Sequence, residues 1–151
     1  MYVYSTSDGQ LLWKDKGGPD KIFGIAWSRT KDQFTTVGPK HIYAWDLDAK
    51  SKKRGLFGGK FPMTNFSCVD YDDKGRAFTG GANGQIYVWI GNSISKTLNA
   101  HKGVVHSIRC VDGMILSGGS DKKLVIHDSG LSKLKELQLG SCPRGIDYMN
   151  N

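Results

Sequence analysis

Short apolar runs separated by polar, glycine-rich turns recur along the whole chain. The clearest instance runs from Ser117 to Asp128, Ser-Gly-Gly-Ser-Asp-Lys-Lys-Leu-Val-Ile-His-Asp. Met114, Ile115 and Leu116 precede it, the glycines and Asp121 mark a tight turn, and Leu124 to Ile126 form a second run of β-branched character. That pattern predicts a β-hairpin. It returns as Thr79-Gly-Gly-Ala-Asn-Gly-Gln-Ile-Tyr-Val-Trp89 and, shortened, as Thr36-Val-Gly-Pro-Lys-His-Ile-Tyr-Ala-Trp-Asp46. No long apolar stripe of helical period interrupts the series, so the chain reads as all-β.

Spacing sets the kind of repeat. Tyr4, Trp45, Trp89 and His127 hold the same place in successive hairpins, about 41, 44 and 38 residues apart. Ile25, Cys68, Ile108 and Ile146 form a second series, expected to point into the interfaces between repeats. A period of about 40–45 residues with strands throughout is the signature of a WD-repeat β-propeller, built from four-stranded antiparallel blades. The residues resemble that family as well. Trp45-Asp46 is its dipeptide, and Ala100-His101-Lys102-Gly103 resembles the turn that opens a repeat.

On this reading residues 1–17 end one blade, with strands at 2–5 and 10–14. Full blades follow at 21–59, 64–100 and 103–140, and 143–151 begin another with a strand at 145–149. The twelve strands of the full blades are expected near 22–28, 33–37, 41–47 and 55–58, then 66–71, 76–79, 85–90 and 94–99, then 104–111, 114–117, 123–128 and 133–139. Propeller blades bury both faces against neighbours, and closure takes at least four. The inventory therefore predicts an incomplete propeller, part of a longer protein, that self-associates through open blade faces or closes a ring as two copies.

Composition agrees with this picture and narrows the chemistry. Twenty glycines against four prolines suit many tight turns, and 38% hydrophobic residues suffice for a packed core. Glu136 is the only glutamate. Met1 runs directly into Tyr-Val-Tyr and no apolar run reaches membrane-spanning length, so neither a signal peptide nor a membrane segment is expected. Cys68, Cys110 and Cys142 are read as small core residues of a reducing compartment, and Asn65-Phe66-Ser67 as a chance glycosylation sequon.

His101, Ser117 and Asp121 should converge, and such a trio invites a hydrolase reading. The structural reading is stronger. A His before the first strand, a Ser or Thr on the second and an Asp in the hairpin turn form a buried hydrogen-bonded set in WD repeats. Trp usually completes it. Here His127 stands in that place, while Thr79, Trp89, Trp45 and Asp46 are the corresponding residues of the other repeats. The second repeat has Asn83 for Asp and no matching His; the first lacks the Asp. His41, His101, His106 and His127 are scattered without metal-ligand spacing. Arg54-Gly-Leu-Phe-Gly-Gly-Lys60 fails the phosphate-loop pattern. No catalytic residue, metal or cofactor is expected, and no enzyme.

Charge changes the picture more. Lys and Arg number 21 against 14 acids, giving a net charge of +7. Lys50, Lys52, Lys53 and Arg54 are the densest run, read as a solvated loop between the last two strands of the first full blade. Loops between second and third strands, and those linking blades, open on one face of a propeller. They carry Lys16, Lys21, Lys40, Lys60, Lys102, Lys122, Lys123 and Arg144 against Asp15, Asp20 and an inward Asp121. Such a rim attracts acidic partners. Without aromatics interleaved with the basic residues on a known module, nucleic acid is not the expected one.

Phe23-Gly-Ile-Ala-Trp27, Val37-Gly-Pro-Lys-His-Ile42, Lys53-Arg-Gly-Leu-Phe-Gly58, Gly84-Gln-Ile-Tyr-Val-Trp89 and Ser117-Gly-Gly-Ser-Asp-Lys-Lys123 resemble the echinoderm microtubule-associated protein-like family. The likeness covers nearly the whole chain, without that family's N-terminal coiled coil, its hydrophobic entry motif or most of its blades. It implies a cytoplasmic, cytoskeletal, non-enzymatic scaffold that binds tubulin or microtubules. Lys40, Lys60, Lys102, Lys122 and Lys123 are the expected contact residues. The alternative is a general WD-repeat adaptor for peptides of other proteins, without tubulin affinity.

Overall fold

The computed structural model describes residues 1–17 and 21–149. Gly18 and Pro19 of the predicted polar loop, the rim acid Asp20 and the last two positions of the predicted terminal segment lie outside them. Among the described residues, fourteen strands form four separate antiparallel sheets, each a meander of consecutive strands. The first sheet has two strands, β1 (Tyr2–Tyr4) and β2 (Leu11–Lys14). The second holds β3 (Gly24–Trp27), β4 (Gln33–Gly38), β5 (His41–Asp46) and β6 (Ser51–Arg54). The third holds β7 (Phe66–Tyr71), β8 (Ala77–Gly81), β9 (Gln85–Ile90) and β10 (Ser93–Asn99). The fourth holds β11 (Val105–Val111), β12 (Met114–Gly119), β13 (Lys123–Asp128) and β14 (Lys133–Gln138). No helix occurs among the described residues.

Core residues lie between sheets. Val37 and Ile42 of the second sheet pack with Val69, Tyr71, Ala77 and Trp89 of the third. Phe78, Ile86 and Val88 of the third pack with Val105, Ile108, Cys110 and Ile115 of the fourth. The third sheet thus buries one face against the second and the other against the fourth, which is how propeller blades and other repeat units are stabilised. Buried polar contacts join the same interfaces. The Thr35 hydroxyl lies 2.7 Å from that of Tyr71. Asp70 accepts the Cys110 N–H at 2.8 Å, and Arg76 donates to the Ser129 carbonyl at 2.9 Å.

Three expectations need correction. The outer strand of the second sheet is Ser51–Arg54, so Lys52, Lys53 and Arg54 belong to a strand and the apolar stretch at 55–58 does not. Outer strands face solvent along one edge and tolerate charge there, whereas Leu56 and Phe57 carry the chain across to the next blade. The Phe57 ring sits edge-on to Trp89 at 5.5 Å and stacks near Phe66.

Cys68 does not share the position of Ile25 and Ile108. Ile25 pairs with Thr36 and Ile108 with Ser117, and the residue facing Thr79 is Val69. Bulges early in β7 and β11 add a residue, and a shift of one moves a side chain to the opposite face.

Residues 145–149 form no strand. Their segment still follows β11: Ser107 donates to the Pro143 carbonyl at 2.7 Å and Arg109 pairs with Asp147 at 3.2 Å. It takes the place of an inner strand, but no second strand pairs with its other edge among the described residues.

Candidate interaction face and its supporting network

The polar set of the fourth sheet forms as a linked chain. His101 Nε2 lies 2.9 Å from Ser117 Oγ, and its Nδ1 lies 3.0 Å from Asp121 Oδ1. The other oxygen of Asp121 accepts the Lys102 N–H at 3.0 Å. Burial opposes the charged form of Asp121, but the Lys102 N–H and the His101 ring outweigh it and hold the carboxyl below its ordinary range. A carboxylate on Nδ1 makes that nitrogen the donor, so Nε2 accepts the Ser117 proton. The set therefore ties the blade-opening turn to the hairpin between β12 and β13. Ser117 is fully buried, as is the side chain of His101, so the hydroxyl faces no substrate space.

Corresponding positions in the other blades use a simpler link. Trp45 Nε1 donates to Thr36 Oγ1 at 2.8 Å, and Trp89 Nε1 to Thr79 Oγ1 at 2.9 Å. Asp46 stands outside this link. It accepts Gln33 Nε2 and the Ala49 N–H, both at 2.8 Å, and shapes the turn before β6. His127 takes the tryptophan position without the bond: it is buried and its Nδ1 has no hydrogen-bond partner. Burial first, and then the neighbouring His101 ring and Lys133, depress its basicity. Thr36 belongs to the set and was not among the expected residues, though its place in the Thr-Val-Gly hairpin carried the signal. Asp70 and Arg29 were missed as well. They bridge blades at 3.5 Å and leave no periodic trace in the sequence.

The turns between second and third strands meet the blade-linking loops. Ala100 and His101 donate N–H groups to the Gly84 carbonyl at 3.2 and 3.0 Å, and Ser120 donates to Val104 at 2.9 Å. Ala82 donates to Asn65 at 2.8 Å and Leu139 to Lys122 at 2.7 Å. The end of the blades that carries these turns also carries Lys40, Lys60, Lys102 and Lys122, all exposed. Lys40 and Lys122 sit at turn positions with φ of 54° and 62°. Lys123 differs: it is half-buried at the start of β13 and its ammonium is paired with Glu136. Lys52, at the opposite edge of the blade, binds Asp15 at 2.7 Å and the Gly17 carbonyl at 2.9 Å, clamping the two-stranded sheet to its neighbour. Cys68 and Cys110 are free thiols; burial raises Cys68 to about 12 and raises Cys110 as well. Among the described residues no group of three or more His, Cys, Asp or Glu side chains could hold a metal ion.

No family model matches the chain. It is 41% identical over 153 residues to the ciliary WD repeat-containing protein ctxp80 of Euplotoides octocarinatus, a match covering 97% of this chain and 21% of that protein. It is 37% identical over 111 residues to human echinoderm microtubule-associated protein-like 2, covering 69% of this chain and 17% of that protein. The chain thus spans about a fifth of the length of these relatives. In structure it is similar to the computationally designed Ika8 protein, with a TM-score of 0.82 at 17% identity over 99% of this chain and 47% of that one. With blades, tryptophan–threonine links and blade-opening turn all in place, the chain belongs, as a partial chain, to the echinoderm microtubule-associated protein-like family of WD-repeat β-propellers.

Proposed function

We propose that the chain is a non-enzymatic protein-interaction scaffold of the cytoskeleton that binds tubulin or microtubules through the basic end of its blades. The observation that carries this reading is the exposed group Lys40, Lys60, Lys102 and Lys122 on turns at one end, beside an Asp121 already engaged by His101 and Lys102. The family relationship supplies the partner class, since relatives are named as microtubule-associated. Microtubules present acidic, disordered tails, and a row of turn lysines attracts such a chain without a deep pocket. Each exposed contact is worth about 0.2–1 kcal/mol, so several must act together. Lys123, engaged by Glu136, contributes less than its neighbour Lys122.

Co-sedimentation with microtubules tests this. Lys60→Glu, Lys102→Glu and Lys122→Glu combined should weaken binding by about tenfold or more, given three contacts of that size. Added salt should weaken the unmodified chain too. Lys31→Glu with Lys74→Glu, on turns at the other end of the blades, should leave binding unchanged. Equal binding to tubulin stripped of its acidic tails would remove the mechanism and favour the adaptor reading.

A further inference from the structure

Two large apolar side chains stand exposed on the rim of an interior blade. Leu56 and Ile90 are 58% and 63% exposed. Complete four-stranded sheets flank the third sheet on both sides, so this exposure belongs to the blade itself. Ile90 pairs with Ser93 across β9 and β10, and Leu56 forms a parallel bridge to the same Ser93. Directly opposed residues point to one face, so Leu56 and Ile90 flank Ser93 on a single surface. Hydrogen bonds fix the arrangement. Leu56 donates its N–H to the Asn92 carbonyl at 2.7 Å, and Asn92 Nδ2 donates to the Arg54 carbonyl at 3.0 Å.

Ile90 occupies a place that other blades give to a carboxylate. It follows Trp89 as Asp46 follows Trp45 and Asp128 follows His127. Asp46 caps its turn through the Ala49 N–H, and Asp128 through those of Gly130 and Ser132 at 2.9 and 2.8 Å. The turn after Ile90 is only Gly91 and Asn92, and holds no such N–H groups. A short turn permits an apolar residue there but does not bury it. Single exposed apolar residues are ordinary; a pair held side by side next to a cavity marks an interaction surface.

That cavity, of about 110 Å³, adjoins the same turn and is lined by Gln33, Trp45, Asp46, Lys53, Gly91 and Asn92 among others. It has room for one side chain. Asp46 is the acid of its lining, and its oxygens are already engaged by Gln33 Nε2 and the Ala49 N–H. The surroundings are basic. Lys52 is held by Asp15, but Lys53 and Arg54 are exposed and pair with no carboxylate among the described residues. Lys96 is exposed as well. It pairs with Val88, two residues before Ile90, and so shares the face of Ile90.

We infer that this rim is a second docking site, for a short acidic and apolar segment of a partner protein. The apolar side chains of that segment cover Leu56 and Ile90 and enter the cavity. Its carboxylates lie against Lys53, Arg54 and Lys96. The basic run at 50–54 thereby gains a role beyond the clamp made by Lys52. The site shares no residue with the turn lysines, and it demands apolar contacts that a purely acidic tail does not supply.

Fluorescence polarisation of labelled synthetic peptides on the whole chain tests the site. The probes carry two leucines, spaced for one face of a strand or of a helix and flanked by aspartates. Their counterparts carry lysines for the aspartates, or serines for the leucines. At least one leucine–aspartate probe should bind saturably below about 1 mM, and its counterparts about tenfold more weakly or worse. Ile90→Asp, which installs the residue that two other blades carry there, should weaken binding about tenfold, and Leu56→Asp likewise. Lys53→Glu with Arg54→Glu should weaken it independently. Lys102→Glu with Lys122→Glu should leave it unchanged. All these positions are exposed, and circular dichroism of each variant checks that the blades form. Absence of saturable binding by every leucine–aspartate probe overturns the proposal. So does binding that survives Ile90→Asp and Leu56→Asp but is lost with Lys102→Glu and Lys122→Glu, which would assign acid recognition to the turn end alone.

Discussion

Ser117 and His127 occupy adjoining places in the fourth sheet and show how much one side chain decides there. Ser117 gives its proton to a histidine held by a carboxylate, so truncation leaves a buried ring nitrogen without a partner. Ser117→Ala should cost about 1–3 kcal/mol in urea unfolding while the folded fraction binds partners unchanged. His127 is the reverse case, a polar ring buried where two other blades place an indole that donates to threonine. Its folded pKa lies below the ordinary 6.5 because burial disfavours the charged ring. The unfolded chain therefore takes up the proton first as pH falls. Stability that depends on neutral His127 is complete above about pH 6.5 and is lost as pH falls through the lowered folded value. In His127→Trp this part of the acid sensitivity should vanish, and denaturation midpoints at pH 7.5 and 5.5 should move closer together. An unchanged gap between those midpoints would assign the sensitivity to other groups.

At the scale of the element, blades are held by what the second strand presents to its neighbour. Gly80 of β8 lies where a Cβ would come within 2.6 Å of Cys68 Sγ and 2.8 Å of Val105 Cβ. The position tolerates no side chain because Val105 of the next blade fills that space. Gly80→Ala should push the third and fourth sheets apart and cost about 1–3 kcal/mol, read as a lower thermal midpoint. Gly140→Ala, with nothing within 4 Å, should leave the midpoint unchanged. The outer strands obey no such constraint. β6 is charged and largely exposed, and its sequence, Ser-Lys-Lys-Arg, carries little strand signal, whereas the alternation in Lys-Leu-Lys-Glu-Leu-Gln of β14 was legible. The apolar Leu56-Phe57 drew the strand assignment away from β6 for the same reason: burial and strand geometry coincide in inner strands and separate at the rim.

For the molecule as a whole, antiparallel meanders send every second turn to the same end. That topology gathers Lys40, Lys60, Lys102 and Lys122, which are far apart in sequence, into one field. At physiological salt the field reaches about 8 Å, so it acts on a chain that is already close.

The amino-acid sequence by itself determined the repeat, the all-β class and every strand of the full blades except the outer one at 51–54, because these depend on local hairpin chemistry repeated at a steady spacing. It also determined the His101–Ser117–Asp121 link, whose members lie within one repeat. Tertiary structure alone decided the rest. Bulges in β7 and β11 placed Val69, and not Cys68, beside its equivalents, since a bulge changes register without changing spacing. Whether a lysine is free or engaged was settled by neighbours distant in sequence: Asp15 for Lys52, and Glu136 for Lys123. Arg29, Asp70 and Cys110 join three blades through contacts 41, 40 and 81 residues apart. No local pattern encodes such pairs, because the partners meet only once the blades have stacked.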